Sequence, residues 1–426
     1  MRLVIGRRNV LRELHAGGPR TASEVAQSLG RFNVKYSVDA VADRFEELDE
    51  RGLVRLGGAE AVGLRRFQAA NPPGRPPRYA TLSDVWGLGA GVEIGRSEIR
   101  CGMVTAGGEL VSRGQAQRSK PQVEPTFREA GSTLRSLLDE ITDDQREALV
   151  GIVVAVPAPV DREGRTVAQD ILPWGMEPLD RRFAKTLDLE NRPIMIVNDA
   201  DARAIAEGRF GLARAAHSAF VLKWSGGVGG CLLRRGRILG GFRGLAGEVG
   251  HLSVSLDAVV PPASILNLPR LQPDAECSCK DSDNQHLEAY ASIGAMERRL
   301  SSARGCEVGI DTIAREWTHR EDARRVVEDA SRLLGQALAQ VMTLMDPQVV
   351  VITGRAAACG ALVADPIRQI LAGHRPRHPH PPEVVVDGPP LTARKGRESE
   401  WLGVRGAGRL AVELNTSADD PPVELD

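Results

Sequence analysis

Residues 244–288 contain a high density of side chains that could bind a metal or a polar ligand. In chain order these side chains are Glu248, His251, Cys277, Cys279, His286 and Glu288. Zinc prefers thiolate and imidazole ligands, so the two cysteines and two histidines are candidate metal ligands. The two glutamates are candidate acceptors for the hydroxyl groups of a sugar-like ligand, because one carboxylate can accept several hydrogen bonds. This segment therefore predicts a metal centre beside a polar binding site.

The length and composition of the chain indicate a globular protein of two or three domains. It has 426 residues, of which 42% are apolar, enough for cores of ordinary size. No apolar run reaches bilayer length, and the N-terminus lacks the features of a signal peptide. We therefore expect a cytoplasmic protein without a membrane partner. Its six cysteines are expected to be reduced and to form no structural disulfide.

Charge is distributed unevenly along the chain. Residues 1–80 carry a net charge of +5, whereas the remaining residues carry −6. A basic N-terminal unit on an acidic body favours contact between that unit and a polyanion such as nucleic acid. A charge difference of this size is also common on an ordinary solvated surface.

The N-terminal residues have the pattern of a winged helix-turn-helix. An amphipathic helix is predicted for residues 9–16, and a capping-box sequence begins a second helix over residues 21–29. Ser37 is suited to cap a third helix. Residues 53–56 and 64–68 then have the composition of two paired strands. Three helices followed by a hairpin make up a winged helix-turn-helix.

A DNA-binding role for this unit depends on a small set of polar and basic side chains. They are Lys35, Tyr36, Ser37, Asp39, Arg44, Arg75 and Arg78. The start of the third helix offers few groups that read base edges, so most of these residues are expected to contact the phosphates of a double-stranded operator. The same pattern also suits a dimerisation or docking module, and spacing alone leaves both interpretations open.

A stiff, proline-rich segment at residues 69–78 separates this unit from the rest of the chain. We predict two domains, residues 1–82 and residues 83–426. In the second domain, apolar strands end in polar residues at Asp161 and at Asn198-Asp199, and α/β sheets bind their ligands at such strand ends.

Strand-turn-strand patterns near residues 88 and 219 indicate that the second domain is a duplicated α/β pair of lobes with a cleft between them. The first lobe is predicted to span about residues 83–199 together with a C-terminal helix at about 400–415. The second lobe is predicted to span about residues 200–399. Within the two lobes, apolar strands are predicted at residues 150–156, 231–234 and 383–386, and a helix at about residues 287–303.

Taken in order, the motifs of the chain resemble those of the ROK family of repressors and sugar kinases, and more closely those of its regulator branch. The body motifs are Pro157-Ala158-Pro159-Val160-Asp161, Leu172-Pro173-Trp174, Asn198-Asp199-Ala200, Ala246-Gly247-Glu248-Val249-Gly250-His251, Cys277-Ser278-Cys279 and Leu287-Glu288. This sequence resembles the regulator branch at residues 10–14, at residues 48–54 and at Gly74-Arg75-Pro76. The resemblance covers nearly the whole chain. It implies an α/β protein with an N-terminal winged helix-turn-helix, followed by a duplicated, two-lobed body of the actin-like ATPase (ribonuclease H-like) fold.

The resemblance also implies a set of sugar-binding residues. They are Asp170, where the family usually has asparagine, and Asn198, Asp199, Glu248, His251 and Glu288. In the family's kinases the aspartate that matches Asp199 acts as the general base, a role that requires a carboxylate within hydrogen-bond reach of the attacking hydroxyl. The alternative for Asn198-Asp199 is a helix N-cap, which is compatible with ligand binding.

The family's zinc site matches His251, Cys277 and Cys279 but lacks its third cysteine. His286 stands where that cysteine is expected, directly before Leu287-Glu288. A site of two cysteines and two histidines is sound zinc chemistry, so we predict a structural zinc ion there. The alternative is that the site has decayed and that both cysteines lie in an ordinary polar loop.

The nucleotide side departs most from the kinase pattern. At the first phosphate loop the family's aspartate and its Gly-Gly-Thr sequence are replaced by Glu93-Ile94-Gly95-Arg96-Ser97. At a later loop a Gly-Gly pair is replaced by Thr353-Gly354-Arg355. Larger side chains at both loops prevent the close backbone approach that phosphoryl transfer needs, so we do not expect ATP or Mg²⁺ as cofactors.

The leading interpretation is therefore a sugar-responsive, DNA-binding repressor that acts as a homodimer or tetramer. A sugar kinase with an N-terminal docking domain is the main alternative. A third is a corepressor-dependent activator that binds an amino sugar or a ligand that is not a sugar. The sign of regulation and the identity of the sugar remain open at this stage.

Overall fold

A computed structural model describes fifteen parts of the chain. They are residues 10, 13–14, 20–29, 37–50, 54–58, 78–82, 87–147, 149–167, 174, 178–187, 192–256, 286–373, 382–387, 400–413 and 423–424. No helix within these ranges is long and apolar enough to cross a bilayer.

The N-terminal unit contains two described helices and a small sheet. Its elements are β1 (Arg20–Thr21), α1 (Ala22–Leu29), α2 (Val38–Glu50), β2 (Val54–Gly57) and β3 (Tyr79–Leu82). The sheet has the strand order β1-β3-β2 and is antiparallel. The predicted capping box is present, because Glu24 accepts a hydrogen bond from the Thr21 N–H at 2.8 Å, and the Glu24 N–H donates to the Thr21 hydroxyl at 3.3 Å.

One face of each N-terminal helix packs into a common core. Its largest members are Leu14, Val25, Val41, Phe45 and Leu48, all buried, and their spacing follows the helical period. The described partner of β2 is β3, which follows the proline-rich segment. The predicted partner strand, residues 64–68, lies outside the described residues.

The first lobe is built around a five-stranded sheet with the order β6-β5-β4-β7-β8. Its elements are β4 (Leu88–Ile94), β5 (Glu98–Thr105), β6 (Leu110–Gln117), α3 (Val123–Glu140), α4 (Asp143–Glu147), β7 (Leu149–Val156), α5 (Leu179–Ala184) and β8 (Ile194–Asn198). Central β4 is buried along its whole length, whereas edge strand β6 alternates between half-buried and exposed residues. The near-continuous apolar sequences of β4 and β7 are typical of strands covered on both faces.

The second lobe repeats this topology. It follows α6 (Asp199–Arg209) and contains β9 (Ser218–Trp224), β10 (Val228–Arg234), β11 (Arg237–Leu239), α7 (Leu287–Ala291), α8 (Ile293–Arg304), α9 (Ile310–Glu316), α10 (Glu321–Met345), β12 (Val349–Thr353), α11 (Ala361–Gly373) and β13 (Glu383–Val386). The sheet order is β13-β12-β9-β10-β11-β14, where β14 is Val423–Glu424. In each sheet an antiparallel three-strand meander is followed by two parallel strands. The predicted duplication is thus present in the topology.

Two helices lie together at the centre of the body. Helix α12 (Leu402–Glu413) packs on β4, β5 and β7 and also contacts α6. A Cβ atom placed on Gly406 would lie 1.6 Å from the carbonyl oxygen of Ala202, so only glycine permits this approach of α12 to α6. Helix α6 also contacts β9 and β10 of the second sheet, and it therefore connects the two lobes.

Two predicted element boundaries in the second lobe are wrong. The helix predicted over residues 287–303 is broken at Ser292, whose side chain accepts the Ala295 N–H at 3.2 Å and so begins a new helix. The strand predicted to begin at Cys231 begins at Val228, because residues 228–230 pair with β9. The glycine turn is therefore only residues 225–227.

Candidate functional site

Asn198 and Asp199 lie where β8 ends and α6 begins. The Asn198 side-chain oxygen accepts the Ala200 N–H at 2.7 Å and caps the helix. Asp199 is buried in the first turn, where the helix dipole favours a negative charge. The predicted cap is therefore present, and the amide nitrogen of Asn198 keeps its donors for a ligand.

Lys223, which the sequence interpretation missed, pairs with Asp199. Its Nζ atom contacts Oδ2 of Asp199, and the side chains of lysine and aspartate are 17% and 9% exposed. The ammonium group offsets the charge of the carboxylate and occupies one of its acceptor directions. Asp199 is thus less available to take a proton from a substrate hydroxyl than an unpaired carboxylate. The sequence feature that could have identified Lys223 is its charge, because most residues of strand β9 are apolar.

The loop after β11 is held in place by close contacts at two glycines. A Cβ atom on Gly247, whose φ is 96°, would lie 2.0 Å from the carbonyl oxygen of Gly230. Gly244, with a φ of 72°, similarly approaches the carbonyl oxygen of Val160 in the first lobe. Side chains are excluded at both positions, and the loop positions Glu248 next to the strand-end residues.

Glu288 lies in the first turn of α7 and reaches the glycine turn. Its Oε2 atom accepts the Val228 N–H at 2.9 Å. A Cβ atom placed on Gly227 would lie 2.9 Å from the same oxygen, and one on Gly250 would lie 3.0 Å from it. Glycine at both positions leaves room for the carboxylate against the turn.

The carboxylates of the site influence one another. Burial, together with the charges of Asp199, Glu288 and Asp201, raises the pKa of Glu248 to about 7. Burial also raises the pKa of Asp201 to about 6, although a hydrogen bond with Cys231 opposes this. Near neutral pH, Glu248 can therefore either donate a hydrogen bond to a ligand or accept one.

His251 and His286 lie side by side. Their ring centroids are 5.5 Å apart and the rings are nearly perpendicular, at 88°. The Nε2 atom of His251 is 4.0 Å from a Glu248 carboxylate oxygen. Burial lowers the pKa of His251, the charge of Glu288 opposes this, and His286 adds to the lowering. The predicted ligands Cys277 and Cys279, and the predicted sugar contact Asp170, lie outside the described residues. Within the described ranges no group of three or more candidate metal ligands was found.

Glu93, at the first phosphate loop, is buried inside the first lobe. Arg203 of α6 donates to its carboxylate at 3.3 Å, and the side chains of arginine and glutamate are only 8% and 6% exposed. A Cβ atom placed on Gly403 of α12 would lie 2.4 Å from the Glu93 carboxyl carbon. The carboxylate is therefore enclosed by β4, α6 and α12, where it is not available to a metal ion in the cleft.

The two arginines of the altered phosphate loops both lie near the glycine turn. Arg96 is exposed, and its Nε atom would lie 3.4 Å from a Cβ atom placed on Gly226. The Arg355 N–H donates to the Ser225 hydroxyl at 3.2 Å. Its side chain forms an exposed pair with Asp311 at 3.6 Å.

The predicted DNA-contacting residues are described only in part. The Ser37 hydroxyl caps α2 by accepting the Ala40 N–H at 3.2 Å, and Asp39 is exposed in the first turn. Arg44 pairs with Glu47, and Arg78 pairs with Glu46 at 2.6 Å. Lys35, Tyr36 and Arg75 lie outside the described residues.

Comparison with known proteins agrees with this architecture. The ROK family matches residues 89–413. A glucokinase from Halalkalibacterium halodurans is 23% identical over 359 residues, which cover 79% of this chain and 98% of that protein. The crystal structure of a ROK family glucokinase from Streptomyces griseus, in complex with glucose and AMPPNP, is 23% identical with a TM-score of 0.61. The aligned region covers 77% of this chain and 100% of the glucokinase chain.

A regulator of the same family is also similar. The crystal structure of a ROK family transcriptional regulator, a homologue of the E. coli MLC protein, is 17% identical with a TM-score of 0.62. The aligned region covers 95% of this chain and 100% of the regulator chain. Because the family match spans most of the body and the solved relatives share its fold, this chain belongs to the ROK family.

Proposed function

We propose that the protein is a sugar-responsive, DNA-binding transcriptional repressor. The observation that carries this proposal is the extent of the structural likeness. The solved regulator covers 95% of this chain, whereas the solved glucokinase covers 77%. The additional part includes the N-terminal unit, which has a counterpart in a protein described as a regulator.

We propose that the N-terminal unit is a winged helix-turn-helix with α2 as its recognition helix. In this arrangement β2 and β3 belong to the wing, and Arg78 at its edge contacts a phosphate. Both Arg44 and Arg78 pair with glutamates of α2, so DNA phosphates must replace those carboxylates on binding. A homodimer presents two such units, which suits a palindromic operator.

The body is the proposed sugar sensor. Asn198 and Asp199 lie together at the end of β8, and the charges of Asp199 and Glu288 act on Glu248. These amide and carboxylate groups can bind adjacent hydroxyls. Residues from both lobes are present at the site, so a sugar that contacts both favours one lobe arrangement over the other. The proline-rich segment then transmits this change to the spacing of the paired DNA-binding units.

A sugar kinase is the second candidate, favoured by the full set of cleft carboxylates and by the likeness to glucokinases. Two ion pairs argue against it. Lys223 neutralises the candidate base Asp199, and Arg203 holds Glu93 away from any metal site in the cleft. We expect no ADP release in a coupled assay with glucose, mannose and N-acetylglucosamine. Turnover that Asp199→Ala abolishes would favour the kinase.

We also propose a structural zinc ion bound by His251, His286, Cys277 and Cys279. Two imidazoles on one zinc ion have ring centroids about 5–6 Å apart, given nitrogen–zinc distances of about 2.0–2.1 Å. The separation of 5.5 Å between His251 and His286 fits this requirement. Zinc would supply a fixed orientation for His251 beside Glu248. Metal analysis should find about one zinc per chain and a loss in His286→Ala, and unchanged zinc in that variant would exclude His286 as a ligand.

DNA binding tests the regulator proposal directly. The full-length protein should bind a fragment of its own promoter region, with an affinity that falls steeply as salt increases. Addition of the effector sugar should change that affinity. Substituting alanine at Lys35 or Arg75 should weaken binding to all sequences and reduce the salt slope by about 1 each. Arg324→Ala, on the exposed face of α10 in the body, is the matched control. Absence of salt-sensitive binding would exclude the proposal.

A further inference from the structure

Glu207, near the C-terminal end of α6, is fully buried and meets a second acidic side chain. Its Oε2 atom accepts the Leu212 N–H at 2.8 Å. A Cβ atom placed on Gly211 would lie 2.0 Å from the same oxygen, so glycine leaves the space that this oxygen occupies. Asp387, the residue after β13, forms a side-chain hydrogen bond with Glu207. Acidic groups from α6 and from the second-lobe sheet therefore meet in the interior.

One oxygen of each of these two carboxyl groups lacks a donor. The Oε1 atom of Glu207 and the Oδ2 atom of Asp387 are buried, and among the described residues neither accepts a hydrogen bond from an N–H or O–H group. Two ionised carboxylates at hydrogen-bond distance repel each other strongly in a protein interior. One proton held between them removes one of the two charges and supplies the missing donor. The geometry therefore favours a shared proton over two ionised groups.

The charged groups around the pair place this proton on Glu207. Burial raises the pKa of Asp387, whereas its hydrogen bond with Glu207 and the charges of Arg203 of α6 and Arg405 of α12 oppose this rise. Burial, together with Asp387, raises the pKa of Glu207 to about 8, although Arg203 opposes it. The two arginines also disfavour a metal cation between the carboxyl groups. Glu207 is therefore the donor of the shared hydrogen bond, and Asp387 is its acceptor.

We propose that the proton shared by Glu207 and Asp387 forms a pH-sensitive latch between α6 and the second-lobe sheet. The Asp387 N–H donates to the Ile352 carbonyl oxygen at 2.8 Å, so the acceptor is fixed to both β12 and β13. Loss of the proton leaves two like charges in the interior, and they separate only if the end of β13 moves away from α6. The latch is closed at neutral pH and opens as pH rises through about 8. It lies at the opposite end of α6 from Asn198 and Asp199 and needs neither a sugar nor DNA.

Hydrogen exchange of the full-length protein at pH 6 and pH 9 tests the proposal. After correction for the intrinsic pH dependence of exchange, the amides of β13 should exchange about tenfold faster or more at pH 9, because opening becomes more favourable as the proton is lost. The amides in the middle of α10 should keep their protection at both pH values. This difference separates a local opening at β13 from unfolding of the whole body.

Variants of the two acidic residues assign the effect to the latch. Glutamine at position 207 keeps a donor towards Asp387 and an acceptor for the Leu212 N–H but cannot lose a proton. Glu207→Gln should therefore give the same corrected exchange of β13 at both pH values. Asp387→Asn should also remove the increase at pH 9, and it tests the latch independently if Glu207→Gln does not fold. The matched control is Asp139→Asn at an 81% exposed carboxylate near the end of α3, which should behave as the parent.

Three results would overturn the proposal. The first is equal corrected exchange of β13 in the parent protein at pH 6 and pH 9, a comparison that needs no variant. The second is an increase at pH 9 that is as large in Glu207→Gln or Asp387→Asn as in the parent, which would assign the pH effect to other groups. The third is an equal increase in β13 and α10, which would indicate a general loss of stability without a latch.

Discussion

Two of the ion pairs of helix α6 lie one turn apart, and they connect the helix to different lobes. Asp199 pairs with Lys223 of the second-lobe sheet, whereas Arg203 pairs with Glu93 of the first-lobe sheet. The Arg203 pair is almost fully enclosed beneath α12, whereas the Asp199 pair lies at the edge of the cleft and is up to 17% exposed. The two pairs therefore differ mainly in their access to a ligand.

This difference indicates how the lobes are coupled. A buried ion pair is hard to open, because each charge left without its partner in the interior is strongly destabilised. The pair at the cleft edge exchanges more easily with water or with ligand hydroxyls. Helix α6 is thus held firmly to the first lobe, whereas its contact with the second lobe through Asp199 can change. A ligand that competes with Lys223 for Asp199 acts on this adjustable end of α6.

The largest expected effect comes from breaking the buried pair. Arg203→Met should lower the free energy of unfolding by about 3–5 kcal/mol, because it leaves the Glu93 carboxylate buried without its cation. Urea unfolding followed by circular dichroism measures this loss. The double variant Glu93→Gln/Arg203→Met should recover most of this loss, since position 93 then holds no buried charge without a partner. If Arg203→Met lowers the free energy of unfolding by less than about 1 kcal/mol, the Glu93 carboxylate is not enclosed in the interior.

A pH effect of intermediate size is expected one turn further along α6. Burial, together with the nearby carboxylate of Asp387 at the end of β13, raises the pKa of Glu207 from an ordinary value of 4.5 to about 8. The folded protein therefore holds a proton that the unfolded chain releases. The stabilising contribution is complete below about pH 4.5 and is lost as pH rises towards 8.

Glu207→Gln should remove this dependence. Between pH 5 and 8 the parent protein should lose on the order of 2 kcal/mol more stability than the variant. Unfolding curves for both proteins at each pH provide the measurement. The difference between the two unfolding free energies removes the contributions of the other titrating groups. Equal slopes would show that Glu207 is ionised in the folded state. Because Asp387 directly follows β13 of the second-lobe sheet, this pair is a further contact between α6 and that lobe.

Local sequence patterns predicted most of the body's strands. The strand predicted over residues 150–156 is observed at Leu149–Val156, and the strand at residues 383–386 is observed as predicted. Both are short, β-branched apolar runs, which suit a buried parallel sheet. The break at Ser292 was missed because the apolar spacing of α7 continues into α8, and only the cap geometry separates them.

The site was predictable only as a set of side-chain types. The structure brings Asp199, Glu248 and Glu288 close enough for their charges to interact, and the ligand-binding role of these residues stays a prediction. The ion pairs of the body were not predictable, although Lys223 could be recognised as a charged residue in a mostly apolar strand. Arg203 is 110 positions from Glu93 along the chain, and no local rule connects residues at that separation. Such pairings follow from how the sheets and α6 are arranged, which a single sequence does not specify.

The smallest change in stability is expected for the Asp199–Lys223 pair at the cleft edge. This pair also gives the sharpest test of how the two ion pairs differ. Lys223→Met should lower the free energy of unfolding by less than Arg203→Met does, because Lys223 is 17% exposed and the N-terminus of α6 still stabilises the Asp199 carboxylate. Free glucose or N-acetylglucosamine should then bind about two- to fivefold more tightly, because its hydroxyls no longer compete with an ammonium group for Asp199. Calorimetry on the parent, Lys223→Met and the charge-retaining Lys223→Arg measures this effect, and the arginine variant should match the parent. Weaker binding by Lys223→Met would mean that the lysine itself holds the ligand, and α6 would then have no adjustable end.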